Sequence, residues 1–144
     1  MSARAPLGKP RPFRLAAPVV PEHALQRSMA DTLRLEIAPA GKVSRFGVCW
    51  YSIDQALYGG EVPGIRIGRG IVAGVPDTYM LWRGQSYFIE IKTPDGQLSE
   101  AQKAVASAVL MGGGHVGVVA SVEQLLDALD EWRVPRARRV RVAA

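Results

Sequence analysis

The chain has 144 residues, a net charge of +5, and 48% hydrophobic and 22% charged residues, enough for one domain with its own core but not comfortably for two. No apolar run approaches the roughly 20 residues of a membrane span, so a membrane role and a secretory signal are not expected. A single cysteine, Cys49, excludes an internal disulfide and a multi-cysteine metal site; a reducing cytoplasmic setting is expected, host cytoplasm if the source is viral.

Residues 1–21 hold five prolines together with Arg4, Lys9, Arg11 and Arg14, a composition that predicts an extended or disordered basic arm. A second basic segment closes the chain over residues 133–144, with Arg133, Arg136, Arg138, Arg139 and Arg141. Between the two, nine bases face 13 acids. The basicity therefore belongs to the ends of the chain and the middle is mildly acidic. Basic arms on a compact body suit a polyanion such as nucleic acid, and serve equally as solubilising tails. The organisation read from this is an arm over 1–21, a domain over 22–132 and a tail over 133–144.

From Glu22 to about Leu35 the apolar residues Leu25, Met29 and Leu33 recur at helical spacing, with Pro21 just ahead of or at the first turn. Phe46–Ile53 is apolar and aromatic and predicts a strand, within which Cys49 reads as buried packing. Asp54–Gly74 is glycine-rich and loop-like, with a weak strand near Ile65–Ile67. Thr78–Trp82 and Ser86–Lys92 are rich in β-formers with Gly84 between them, which predicts a hairpin. Ser99–Met111 predicts a helix, Ser99 and Gln102 forming a capping box and Gly112-Gly113-Gly114 stopping it. Val116–Ala120 reads as a short apolar strand. Ser121–Trp132 reads as a second boxed helix, through Ser121 and Gln124, burying Val122, Leu125, Leu126, Leu129 and Trp132. Strand, helix and strand over 89–120 imply parallel neighbouring strands joined by a right-handed crossover. The class expected is α/β with a central mixed sheet flanked by helices.

The dipeptide Pro-Asp occurs at Pro76-Asp77 and again at Pro94-Asp95. Asp95, followed by Gly96 and a helix cap, reads as a turn residue. Asp77 differs because of what the hairpin brings to it. With the turn centred between Gly84 and Gln85, Trp82 faces Tyr87, Tyr79 faces Glu90 and Asp77 faces Lys92. Side chains alternate along a strand, so Asp77, Tyr79, Glu90 and Lys92 share one face. Two carboxylates this close repel unless a cation lies between them. Lys92 offsets one; a divalent metal offsets both, and oxygen ligands suit Mg²⁺ or Mn²⁺ over zinc. Such a group is equipped to hydrolyse a phosphodiester. The competing reading is a solvated Glu–Lys strand face with Asp77 as a turn residue. His23 and His115 have no partner pattern, and Gly68-x-Gly70-x-x-x-Gly74 lacks the spacing of a phosphate loop and the helix that follows one.

Gly74-Val75-Pro76-Asp77 followed by Ile89-Glu90-Ile91-Lys92-Thr93 resembles the PD-(D/E)xK nuclease superfamily. The continuation Gly96-Gln97-Leu98-Ser99-Glu100-Ala101-Gln102, the early helix Glu22-His23-Ala24-Leu25-Gln26 and the closing helix ending at Trp132 are similar to its virus-type replication-repair (VRR-NUC) domain. The match runs over about residues 22–132, is specific at 74–102 and poor across 36–70. The resemblance implies a restriction-endonuclease-like fold and Mg²⁺- or Mn²⁺-dependent cleavage of DNA without a small-molecule cofactor. It implies Asp77, Glu90 and the Ile91 carbonyl as metal ligands, and Lys92 as the catalytic lysine. Glu22 is implied to approach the metal from the first helix, and Gln102 to lie close to the site. Stand-alone domains of this kind are implied to act as homodimers on branched DNA such as four-way junctions, and fused ones in repair and replication. Two alternatives share the fold. One is a non-catalytic DNA-binding module, whose mark would be a broken acidic set. The other is a sequence-specific restriction-type endonuclease, for whose recognition domain 144 residues leave little room.

Overall fold

The structure is a computed structural model that describes residues 20–53 and 68–137. The expectations for the N-terminal arm up to residue 19, for the strand at Ile65–Ile67 and for the tail beyond residue 137 fall outside the described residues. The described chain is mixed α/β: α1 (Glu22–Glu36), β1 (Cys49–Ser52), β2 (Thr78–Trp82), β3 (Gln85–Ile91), α2 (Glu100–Met111), β4 (His115–Val119) and α3 (Val122–Glu131). The strands form one sheet in the order β1-β2-β3-β4, antiparallel except for the parallel β3–β4 pair. Among the described residues no helix is long and apolar enough to cross a membrane.

The hairpin fixes which side chains share a face. Arg83 and Gly84 both have positive φ, 51° and 71°, the geometry of a two-residue turn whose twist matches the flanking strands. The pairs are Trp82–Gln85, Met80–Tyr87, Tyr79–Phe88 and Thr78–Ile89. The turn is thus Arg83-Gly84, one residue earlier than the sequence reading, and every pairing slides by two. Tyr79 faces Phe88 rather than Glu90, and Trp82 faces Gln85 rather than Tyr87. A slide of two preserves the alternation, so Asp77, Tyr79, Glu90 and Lys92 remain on one side.

The opposite side builds the core. Trp50, Met80, Tyr87, Ile89, Ile91 and Val119 bury against Met29 and Leu33 of α1 and Leu125, Leu126 and Leu129 of α3. Each such side chain contributes about 1.5–3 kcal/mol by leaving water. The buried Trp50 indole donates to the Ala38 carbonyl at 2.7 Å, so its one polar atom is satisfied. Val122 and Trp132 are only partly buried at the rim of this cluster. Cys49, expected inside, is half-buried, because it points to the other face, where cover is thinner.

That other face is covered by α2, which packs on β4. Ser99 and Gln102 form the complete capping box, each side chain bonded to the other's backbone N–H. The second box is altered. Ser121 Oγ accepts from Gln124 N–H as expected, but the Gln124 carbonyl reaches the Ala120 N–H instead of Ser121's. The chain after α3 is tied back to the end of α1. Arg136 donates two bonds to Asp130, at 2.8 and 2.9 Å, and one to Glu36 at 3.0 Å. The Ala137 N–H donates to the Glu36 carbonyl at 2.7 Å. Paired this way, Asp130 is held below the usual carboxylate range.

Candidate active site

The site forms where β2 begins and β3 ends. Asp77 is the residue before β2, and its carbonyl accepts the Ile53 N–H at 2.7 Å. Continuing the register two residues past the Thr78–Ile89 pair puts Pro76 opposite Ile91. Pro76 has no N–H to give the Ile91 carbonyl, so the ladder ends there. The Ile91 N–H instead donates to Asp77 Oδ2 at 2.8 Å. The N–H and C=O of one strand residue point the same way, so the Ile91 carbonyl is turned to the side of the Asp77 carboxylate. The proline of Pro76-Asp77 therefore removes a ladder bond, and the aspartate fills part of the vacated space.

Glu90 is only 4% exposed, a rare placement for a glutamate. Its Oε1 accepts from Gln102 Nε2 at 2.7 Å and lies 3.6 Å from Lys92 Nζ. The Lys92 side chain is 16% exposed, and its backbone N–H donates to the Val119 carbonyl at 3.0 Å, which anchors it at the end of β3. Gln102 is therefore both a capping residue and a site residue. Its carbonyl is taken by Ser99 N–H, so its amide nitrogen is aimed at Glu90. The cap sets the rotamer that the site uses.

Glu22 reaches the site through a neighbour. Gln26 Nε2 lies 3.4 Å from Glu22 Oε1 and 3.4 Å from Asp77 Oδ1, two long hydrogen bonds that join α1 to the start of β2. In the sequence Gln26 figures only as one residue of the early helix Glu22-His23-Ala24-Leu25-Gln26. The signal available was its place one helical turn after Glu22; nothing local points to Asp77 as its second partner. A cleft of about 190 Å³ opens here, lined by Gln26, Ser52, Ile53, Asp77, Thr78 and Ile91.

The electrostatics are those of a site short of positive charge. Burial first, then the Asp77 charge, push the Glu90 carboxyl up to about 7, against the pull of Lys92. Burial and the Glu22 charge likewise raise Asp77, although the Ile91 N–H holds it down in part. Among the described residues no three His, Cys, Asp or Glu side chains come together as a ready metal cage. What is present is a carboxylate pair, a carbonyl turned toward Asp77 and an adjoining cleft. That donor set fits Mg²⁺ or Mn²⁺, which are held through one or two carboxylates and keep several of their waters.

This charge balance predicts a pH effect. Glu90 is harder to ionise in the folded chain than in the unfolded one. It therefore favours folding at acid pH, and that contribution is lost as pH rises through about 7. In chelator the wild type is expected to lose up to about 3 kcal/mol relative to Glu90→Gln between about pH 5 and 8. Mg²⁺ or Mn²⁺ should restore more of the wild type's stability at the higher pH. Parallel melting profiles for the two proteins would show that folding does not oppose the ionisation of Glu90.

No protein-family model matches the chain, and no curated protein matches it.

Proposed function

We propose that this chain is a metal-dependent endonuclease on a restriction-endonuclease-like fold, hydrolysing phosphodiester bonds in DNA. The observation that carries the reading is the Asp77–Glu90–Lys92 group. Two carboxylates that resist ionisation lie beside an ammonium 3.6 Å from one of them, at the end of a sheet and next to a cleft. A surface Glu–Lys pair would not be 4% exposed at its glutamate, and isolated buried carboxylates cost free energy without a cation to meet them.

In this reading Asp77, Glu90 and the Ile91 carbonyl would hold the ion. Glu22 lies one glutamine away from Asp77, placed to act through water. When bound, Mg²⁺ or Mn²⁺ eases loss of a proton from water and neutralises charge on the phosphate. The Ile91 N–H fixes the Asp77 carboxylate and Gln102 fixes that of Glu90. Lys92 donates from its ammonium to the attacking oxygen or to a phosphate oxygen as negative charge builds there. Water oxygen bonds to phosphorus, its proton passing to solvent, as the bond from phosphorus to the departing sugar oxygen breaks and that oxygen takes a proton from solvent. The basic terminal segments add backbone affinity without sequence preference. Branched DNA, such as a four-way junction bound by a homodimer, is the substrate this reading favours.

Labelled four-way, flap and linear DNA, incubated with Mg²⁺, with Mn²⁺ and with chelator, tests the assignment. Cleavage is expected only with metal and is expected to be strongest on the branched forms. DNA binding without cleavage under every metal condition would leave a binding module in place of an enzyme.

A further inference from the structure

On the α2 side of the sheet, the row beside the carboxylates is aromatic. Tyr51, Tyr79 and Phe88 stand on three neighbouring strands, Tyr51 paired with Tyr79 and Tyr79 with Phe88. Their ring centroids are 5.2 and 5.1 Å apart, and the Tyr79 hydroxyl is hydrogen-bonded to that of Ser86 at 3.0 Å. The row is two residues, about 7 Å, along the strands from Asp77 and Glu90. Among the described residues α2 packs on β4, and no helix covers the β1–β2 half of this face: Tyr51 is 46% exposed and Leu81, one step further, 40%.

Cross-strand aromatic pairs stabilise a sheet wherever they occur, but that role does not need them open to water beside a catalytic group. Positive charge lies near the row. Lys92 stands at the near end. Beyond the far end, ahead of β1, the Arg45 guanidinium lies 4.7 Å over the exposed Phe46 ring; Arg83 is stacked on Trp82, which faces the core side with Met80. Rings in a row beside a cation make a surface on which bases stack while the backbone lies against positive charge.

We propose that Tyr51, Tyr79 and Phe88 form a stacking surface for unpaired bases next to the phosphate being cut. This rests on the nuclease reading and narrows its substrate to DNA with unpaired nucleotides beside the cut. A base inside a continuous duplex is already stacked on its neighbours and cannot reach the rings. Unpaired bases at a branch or flap can, and a base one nucleotide from a phosphate at Lys92 falls within reach of the row.

The test is binding in chelator, where nothing is cut, of a labelled single-stranded oligonucleotide and of a blunt duplex of equal length at one fixed low salt concentration. Tyr51→Ala is expected to weaken single-strand binding about tenfold and duplex binding about twofold or less, while Tyr51→Phe, which keeps the ring, binds like wild type. Solution mass is measured for wild type and Tyr51→Ala together. An equal loss on both DNAs, no loss on the single strand, or a wild-type dimer that Tyr51→Ala converts to monomer overturns the proposal, the last by assigning the face to a second copy of the chain. Because binding is read without turnover, a failure here with metal-dependent cleavage intact removes the stacking surface alone. Stacking retained in a chain that never cleaves removes the nuclease reading alone.

Discussion

Asp77→Asn is expected to cut branched DNA at least about a thousandfold more slowly than wild type in Mg²⁺ or Mn²⁺, the rate equivalent of losing several kcal/mol of charge stabilisation. The substitution is nearly isosteric. Its amide oxygen still accepts the Ile91 N–H that Asp77 Oδ2 takes at 2.8 Å, so the backbone at the end of β3 has no reason to move. The negative charge goes, and with it, on the proposed reading, one of the two carboxylates that would hold a divalent ion. The same change removes one of the charges that raise Glu90. In chelator at mildly alkaline pH, Asp77→Asn should therefore melt no lower than wild type while being inactive. DNA affinity without metal should change little, because a carboxylate beside a phosphate attracts nothing. Lys92→Ala should be similarly inactive for a different reason, the loss of the donor that meets charge on the phosphate. Full activity in either protein would remove the metal–lysine mechanism.

Gly74→Ala is expected to lower the melting temperature by about 5–20 °C, a loss on the order of 2–5 kcal/mol. Two effects add. Gly74 has φ +88°, a conformation L side chains rarely adopt. A Cβ built there would also overlap the backbone carbonyl of Ala101 and stand 2.6 Å from the Gln102 nitrogen. The obstacle is helix backbone, which cannot rotate away as a side-chain tip can. Relief requires α2 to move off the sheet or the segment before Pro76 to swing out. Either motion shifts Gln102 from Glu90 or Asp77 from Ile91, so cleavage measured well below the melting temperature should fall as well. An unchanged melting temperature would mean that the two segments are not in this close contact.

Much of this arrangement was legible in the sequence because its causes are local. The α2 cap follows from Ser99 and Gln102, the core face of α1 from the spacing of Met29 and Leu33, and the shared face of Asp77, Glu90 and Lys92 from an even-numbered turn. The turn itself was misplaced by one residue, because Arg83 takes φ 51° and nothing about an arginine advertises that conformation. The resulting slide changed which side chains stand opposite one another, Tyr79 meeting Phe88 and not Glu90, without exchanging the faces. The bond from Gln26 to Asp77 was not legible, since it joins residues 51 apart through a packing angle that no local pattern encodes. Gln102 carries two readings from the sequence, the capping box and, by the resemblance, a place close to the site. It satisfies both at once, because its carbonyl and amide nitrogen do different work.

The two tethers on α1 have a consequence for the charged ends of the chain. Residues before Pro21 join the folded body beside Glu22. Residues after Ala137 leave it beside Glu36, where Arg136 and the Ala137 N–H bind. A 15-residue helix separates the two points, about 20 Å at 1.5 Å per residue. α1 thus sets the separation of the two points at which the basic segments meet the described body: one beside Glu22, the other about 20 Å away beside Glu36. On the proposed reading, the two basic segments are attached about six base-pair steps apart along a duplex.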